Sequence, residues 1–246
     1  MGKKWEKDPD VRFFTFPVEL LQKAFTDIEG VCNDAIEYAV YVRCKDYDET
    51  PDDALRFFGI PIEGDVDEYF KNSKKLYDRF KRPVLVSVNK ETILDFWNNP
   101  KTEFEIAVFC AFCGIRSIIG TKDWFKTTNG LLIARMFGCR SESEFKELEK
   151  KPPYYVAHFS TDQQIRSQLT EKIIRKELAI PKRGWHLRYF GGNKEIHVRG
   201  FYVSFKVGVE VLILHAASNR KSTLLRQQQQ EQKQIIESVM RQIQGK

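Results

Sequence analysis

Apolar residues recur at three- and four-residue intervals along most of this chain. The pattern predicts helices joined by short strands. Phe13-Phe14-Thr15-Phe16, stopped by Pro17, reads as a strand. From Val18 to about Tyr47 the period is helical. Leu20, Leu21, Ala24, Phe25 and Ile28 share one face, Gly30 interrupts, and Ala35, Ile36, Ala39, Val40 and Val42 continue a second helix. Asp46–Asp53 reads as an acidic loop, followed by a short helix ending at Gly59. Asp65–Phe80 is a helix closed by Lys81-Arg82-Pro83, Val84–Val88 a strand, and Lys90–Trp97 a helix. Asn98-Asn99-Pro100 closes the region.

Thr102–Ile119 is apolar on every face, the signature of a centrally buried helix. Lys122–Thr128 reads as a basic loop and Asn129–Phe137 as a helix. Ser141 and Glu144 form a capping box for a helix to about Lys150. Pro152-Pro153 breaks it, and Tyr154–Phe159 reads as a strand. A second capping box, Ser160 with Gln163, opens a helix to Ala179 that Pro181 stops. Its apolar stripe is Ile165, Leu169 and Ile173, and its opposite face is Gln164, Gln168, Glu171, Lys172 and Arg175. Then comes a hairpin: Trp185–Phe190, a tight turn at Gly191-Gly192-Asn193, and a return strand from Lys194 to Phe205. Val207–Leu214 is a β-branched run that reads as one more strand. Ala216–Lys246 is a polar helix with Ile235, Ile236, Val239, Met240 and Ile243 on a stripe that needs cover. Packing on its own chain is the first expectation, a dimer-forming helix the second.

The expected fold is α+β and mostly helical. Residues 1–100 form a helical N-terminal domain with short strands, 101–215 a winged-helix-like domain with a basic hairpin wing, and 216–246 a C-terminal helix. Charge sharpens this division. The formal net charge is +6, but from Tyr154 onward there are sixteen Lys and Arg against seven Asp and Glu, and before it 24 against 27. A basic C-terminal part suits a polyanion partner. The start, Met-Gly-Lys-Lys-Trp-Glu-Lys, has no export signal, and no stretch is long and apolar enough to span a bilayer. With five cysteines, an odd number, the expectation is reduced thiols in the cytoplasm.

A helix with a Gln/Lys/Arg face, followed by a basic hairpin, resembles the recognition helix and wing of the winged-helix DNA-binding superfamily. The whole chain is similar in layout to plasmid replication initiators and phage replisome organisers built from two winged helices. That resemblance implies a first domain that mainly dimerises and a second that binds repeated DNA sites. Partners would then be double-stranded DNA and a second copy of the chain. The individual residues come from charge and face. Gln164, Gln168, Lys172 and Arg175 are the groove candidates, because Gln and Arg pair bidentately with base edges. Lys182, Arg183, Arg188, Lys194 and Arg199 are the phosphate candidates. The extra helix at 142–150 separates the presumed second and third helices. It leaves Asn129–Phe137, with Arg135 and the preceding Lys122 and Lys126, as the alternative groove element.

Catalytic patterns are missing. Cys110 and Cys113 form one CxxC without a second pair, inside the apolar helix, where thiols act as small hydrophobes. His158, His186, His197 and His215 make neither HxH nor HExxH, although His186 and His197 are candidate cross-strand neighbours. Phosphate-loop, nucleophile-elbow and dinucleotide fingerprints do not occur. The reading is a non-enzymatic DNA-binding protein without cofactor, metal or small-molecule substrate, suited to replication or transcriptional regulation of a mobile element. A protein-interaction scaffold is the alternative, and a nuclease assembled from scattered carboxylates is third.

Overall fold

A computed structural model describes residues 12–61, 65–159, 163–179, 185–191 and 200–244. The architecture is α+β and mostly helical, with short strands in two small sheets. Contacts group the chain into two units. The first comprises residues up to Lys122 plus Asn129–Leu187, and the second Asp123–Thr128 plus Arg188–Lys246. This grouping differs from the division at 100 and 215, because the helix after Thr102 packs on the N-terminal elements and not apart from them.

In the first unit, β1 (Phe13–Pro17) pairs antiparallel with β2 (Leu85–Asn89), Phe14 opposite Val88 and Phe16 opposite Val86. Those four side chains are buried, as strand alternation requires. A 3-10 turn, Val18–Lys23, precedes α1 (Ile28–Tyr47). The break in this long helical stretch therefore falls at 24–27, and Gly30 lies inside the first turn of α1. There its N–H donates to Asp27, the N-cap, at 2.8 Å. Helices α2 (Pro51–Phe58), α3 (Val66–Arg79) and α4 (Lys90–Asn98) follow, capped by Thr50, Asp65 and Asn89. Arg43 ties α1 to α2. It forms a bidentate pair with Glu49 and lies 3.3 Å over the Phe57 ring.

Helix α5 (Glu103–Ile119) is the centre of this unit. Thr102 and Glu105 close a full capping box, and Ile106 through Ile115 are buried without a gap. Phe109 stacks on Phe96 at 4.5 Å. Helix α6 (Asn129–Met136) crosses closely at Gly114, where a Cβ would stand 3.0 Å from that of Arg135. Helix α7 (Glu142–Glu147) is capped by Ser141. Its Glu144 turns back to the N–H of Arg140, at 2.7 Å.

Residues 154–159 form no strand. Pro153 occupies the first turn of α8 (Pro153–His158), where its missing N–H costs nothing. Ring pairs four residues apart hold the helix: Tyr154 with His158 at 4.1 Å and Tyr155 with Phe159 at 5.7 Å. Helix α9 (Gln163–Glu171) then runs into a π-helix, Lys172–Leu178, where the N–H of Ala179 bonds the carbonyl of Ile174, five residues back. The capping box at Ser160 lies outside the described residues, as do residues 1–11.

In the second unit, β3 (Phe125–Thr127) lies within the stretch expected to be a loop. It pairs with β5 (Phe201–Ser204), which also pairs with β4 (Arg188–Gly191), giving the order β3-β5-β4. Gly191 is opposite Phe201 and Phe190 opposite Tyr202. A tight turn at 191–193 would have set Phe190 against Lys194, so the connection is longer than expected. Gly200 has φ +81, and a Cβ there would lie 2.2 Å from the Thr127 carbonyl oxygen, so this position requires glycine. The run from 207 to 214 is not a strand. Helix α10 (Val209–Gln244) starts there, because Leu212 and Ala216, four apart, both bury against Tyr202 of the sheet. Trp124 stacks on His215 at 4.2 Å, and Asn219 donates to the Tyr202 hydroxyl at 2.9 Å.

Candidate nucleic-acid interface

The helix of residues 163–178 buries Thr170, Ile173, Ile174 and Leu178. Of the expected stripe, Ile173 is buried and Leu169 half-buried, and the Ile165 side chain lies outside the described residues. The five-residue ladder of the π-helix slows the angular advance per residue, so Ile173 and Ile174 both point in. Its outer face presents Ser167, Gln168, Glu171, Lys172, Arg175 and Lys176, all exposed. Three groove candidates, Gln168, Lys172 and Arg175, thus share one surface. Gln164 lies in α9.

Two of these cations have partners on the surface. Arg175 pairs with Glu171 at 2.9 Å, one helical turn back. Lys172 sits with its ammonium 4.4 Å from the centre of the Phe104 ring. Both side chains are exposed, and a surface ion pair of this kind contributes at most about 1 kcal/mol, so a phosphate or base edge can displace it. Lys176 is a third cation on this face that the regular helical period missed. Only the widened turn would have revealed it.

Arg188 opens β4 and is half-buried. It donates to the Phe205 carbonyl at 3.1 Å, bridging the two strands of the hairpin. Lys182, Arg183, Lys194 and Arg199 lie outside the described residues, as does His197. On β3, at the far edge of this sheet from β4, Lys126 is exposed, with its ammonium 5.8 Å from the centre of the Tyr202 ring. Lys206 pairs with Asp123 at 3.0 Å.

The alternative groove element does not suit that role. Every side chain of α6 from Leu131 to Met136 is buried or half-buried. Arg135 turns inward, and its Nε and one Nη are sealed from solvent without a hydrogen-bond partner. Burial pushes the Arg135 guanidinium pKa down, against the opposing pull of Glu19 and Glu144. Glu19, itself buried, accepts from Arg140 Nε at 2.7 Å. Arg135 therefore belongs to a packed charge cluster and not to a DNA-facing surface.

The cysteines are structural. All five are free and buried, and burial pushes Cys32 up to about 12 and Cys139 up to about 11. Cys110 and Cys113 are raised by the same cause. Among the described residues, no three His, Cys, Asp or Glu side chains form a group that could hold a metal ion. A cleft of about 570 Å³ opens in the first unit, bounded among others by Glu37, Tyr69, Leu94 and Trp97. Burial raises the Glu37 pKa, opposed by a hydrogen bond from Asn33 at 2.9 Å. No described helix is long and apolar enough to cross a membrane.

No family model matches this chain, and no curated protein or solved structure matches it.

Proposed function

We propose that this protein binds double-stranded DNA through a winged-helix arrangement. In chain order, a winged helix would read α5, β3, α6, the helix at 163–178 and the β4–β5 hairpin; the helices belong to the first unit, and β3 with the hairpin to the second. The observation that carries the reading is the sheet order. A strand from between the first and second helices pairs with the return strand of a C-terminal hairpin, as a winged helix requires. Helices α7 and α8 are then an insertion between its second and third helices. The exposed face of Gln168, Lys172, Arg175 and Lys176 is the groove-facing surface, and a Gln or Arg there can read base edges. Arg188, with Lys182, Arg183, Lys194 and Arg199, supplies phosphate contacts that set affinity and register. The net positive charge from Tyr154 onward supports a polyanion partner over an uncharged one. Replication or transcriptional control of a mobile element is the process this reading suits.

The test is selection of a preferred duplex from a random pool, followed by titration of that duplex and a scrambled one with Arg175→Ala. Loss of about tenfold or more on the selected duplex, with little loss on the scrambled one, puts Arg175 on base edges. Equal loss on both puts it on the backbone. No enriched sequence overturns specific recognition.

A further inference from the structure

Among the described residues, nothing covers the distal part of α10. Every described side chain from Ala217 to Glu237 is exposed, including Leu224, Leu225, Ile235 and Ile236. The expectation that Ile235 and Ile236 pack on their own chain is thereby corrected: they are 62% and 63% exposed. Leu214, Leu225 and Ile236 are spaced eleven residues apart, and so are Ile213, Leu224 and Ile235. Eleven residues complete three helical turns with about 20° left over, so both rows run nearly straight along the helix. A helix extension of this length, without packing, is marginal in water.

We propose that the stripe is covered by α10 of a second copy of this chain, laid antiparallel and crossing near Gln228-Gln229. Charge selects the orientation. Residues 217–228 carry Arg220, Lys221 and Arg226 with no acid, whereas 229–240 carry Glu231 and Glu237 against one Lys233. Of these charges, Arg220, Lys221 and Glu231 lie on or beside the stripe, whereas Arg226 and Glu237 lie on the far side with Thr223. A parallel pair would set Lys221 against its own copy. The antiparallel pair separates the two lysines and turns Arg220 and Lys221 toward the half of the other chain that carries Glu231. Reflection about 228/229 places Leu225 opposite Gln232 and Lys221 opposite Ile236, whose apolar surface the lysine stem covers. Gln228 faces the other chain at the crossing and Gln229 flanks it, where an amide can both donate and accept. This inference does not depend on DNA binding.

Light scattering on the full chain tests it. The expected mass is about 58 kDa, twice the 28.9 kDa of one chain. Leu225→Lys with Ile236→Lys should return it to one chain, while Thr223→Lys, on the opposite side of the helix, should not. Orientation is read by mixing Lys221→Cys chains with Ile236→Cys chains under oxidation. The mixture should cross-link, and each variant alone should not, because in the antiparallel pair its own thiols lie about 22 Å apart. The five native thiols are buried and do not compete. A chain that stays monomeric at tens of micromolar, or a dimer indifferent to the double variant, overturns the proposal. Self-cross-linking of each single variant overturns the orientation.

Discussion

In α5 the side chains from Ile106 to Ile115 are buried without interruption; in α10 every described side chain from Ala217 to Glu237 is exposed. Both helices carry apolar residues that water disfavours. The first surrounds them with β2, α6 and the π-helix, whereas the second shows them to solvent in two straight rows. Apolar periodicity tells which residues need cover, and only the packing tells whether the chain itself supplies it. The two helices should therefore respond oppositely to the same kind of substitution.

The largest effect is expected in α5. Phe109→Ala removes a ring stacked on Phe96 in a sealed core and should cost about 3–5 kcal/mol in urea unfolding. A loss under about 1 kcal/mol would mean that α5 is not central. Next is the second unit's sheet. Gly200→Ala forces a side chain at positive φ into the Thr127 carbonyl and should cost about 2–3 kcal/mol. Its readout is loss of amide protection at Phe125–Thr127 and Phe201–Ser204, with protection of α5 unchanged. Third, Arg140→Ala strands the buried Glu19 carboxylate without its hydrogen-bond donor and should cost about 2 kcal/mol, while Glu19→Ala costs less because the exposed Arg140 can turn to water. By contrast, Ile236→Asp in α10 should change the unfolding free energy of the dilute monomer by under about 0.5 kcal/mol.

The smallest effect concerns Glu37. Burial raises its carboxyl pKa in the fold, so its protonated form favours folding. That stability is present below the unfolded value and is lost as pH rises through the folded one. Glu37→Gln keeps the acceptor for Asn33 and should raise the melting temperature at neutral pH. The gain should vanish under acidic conditions where the wild-type carboxyl is already protonated. A variant less stable at neutral pH would contradict the sign.

Much of this fold was legible from local chemistry. Thr102 before an all-apolar run, Gly59 and Gly120 as stops, and the alternation around Phe14 and Phe16 each gave an element within a residue or two. The misses share a physical cause: tertiary contacts overrode local preference. Tyr154–Phe159 looks extended because two prolines precede aromatic and β-branched residues. It is helical because Pro153 starts the turn and its aromatic rings stack four apart. Val207–Leu214 has strand composition, but Leu212 and Ala216 both meet Tyr202, which one helical turn allows and a strand, setting them about 13 Å apart, does not. Strand β3 is three residues long, too short for any periodicity, and exists because β5 offers it an edge. At the candidate interface, charge and face identified Gln168, Lys172 and Arg175. Lys176 was hidden because nothing in the local sequence announces a five-residue ladder.

The central claim, that this chain engages DNA electrostatically through its basic helix and hairpin, is tested most directly by fluorescence anisotropy of random duplex DNA across a salt series. Neutralising about five phosphates predicts a log–log slope of about −4 to −5. Absence of binding even at about 50 mM salt would contradict the account and assign the basic surface to an acidic protein partner.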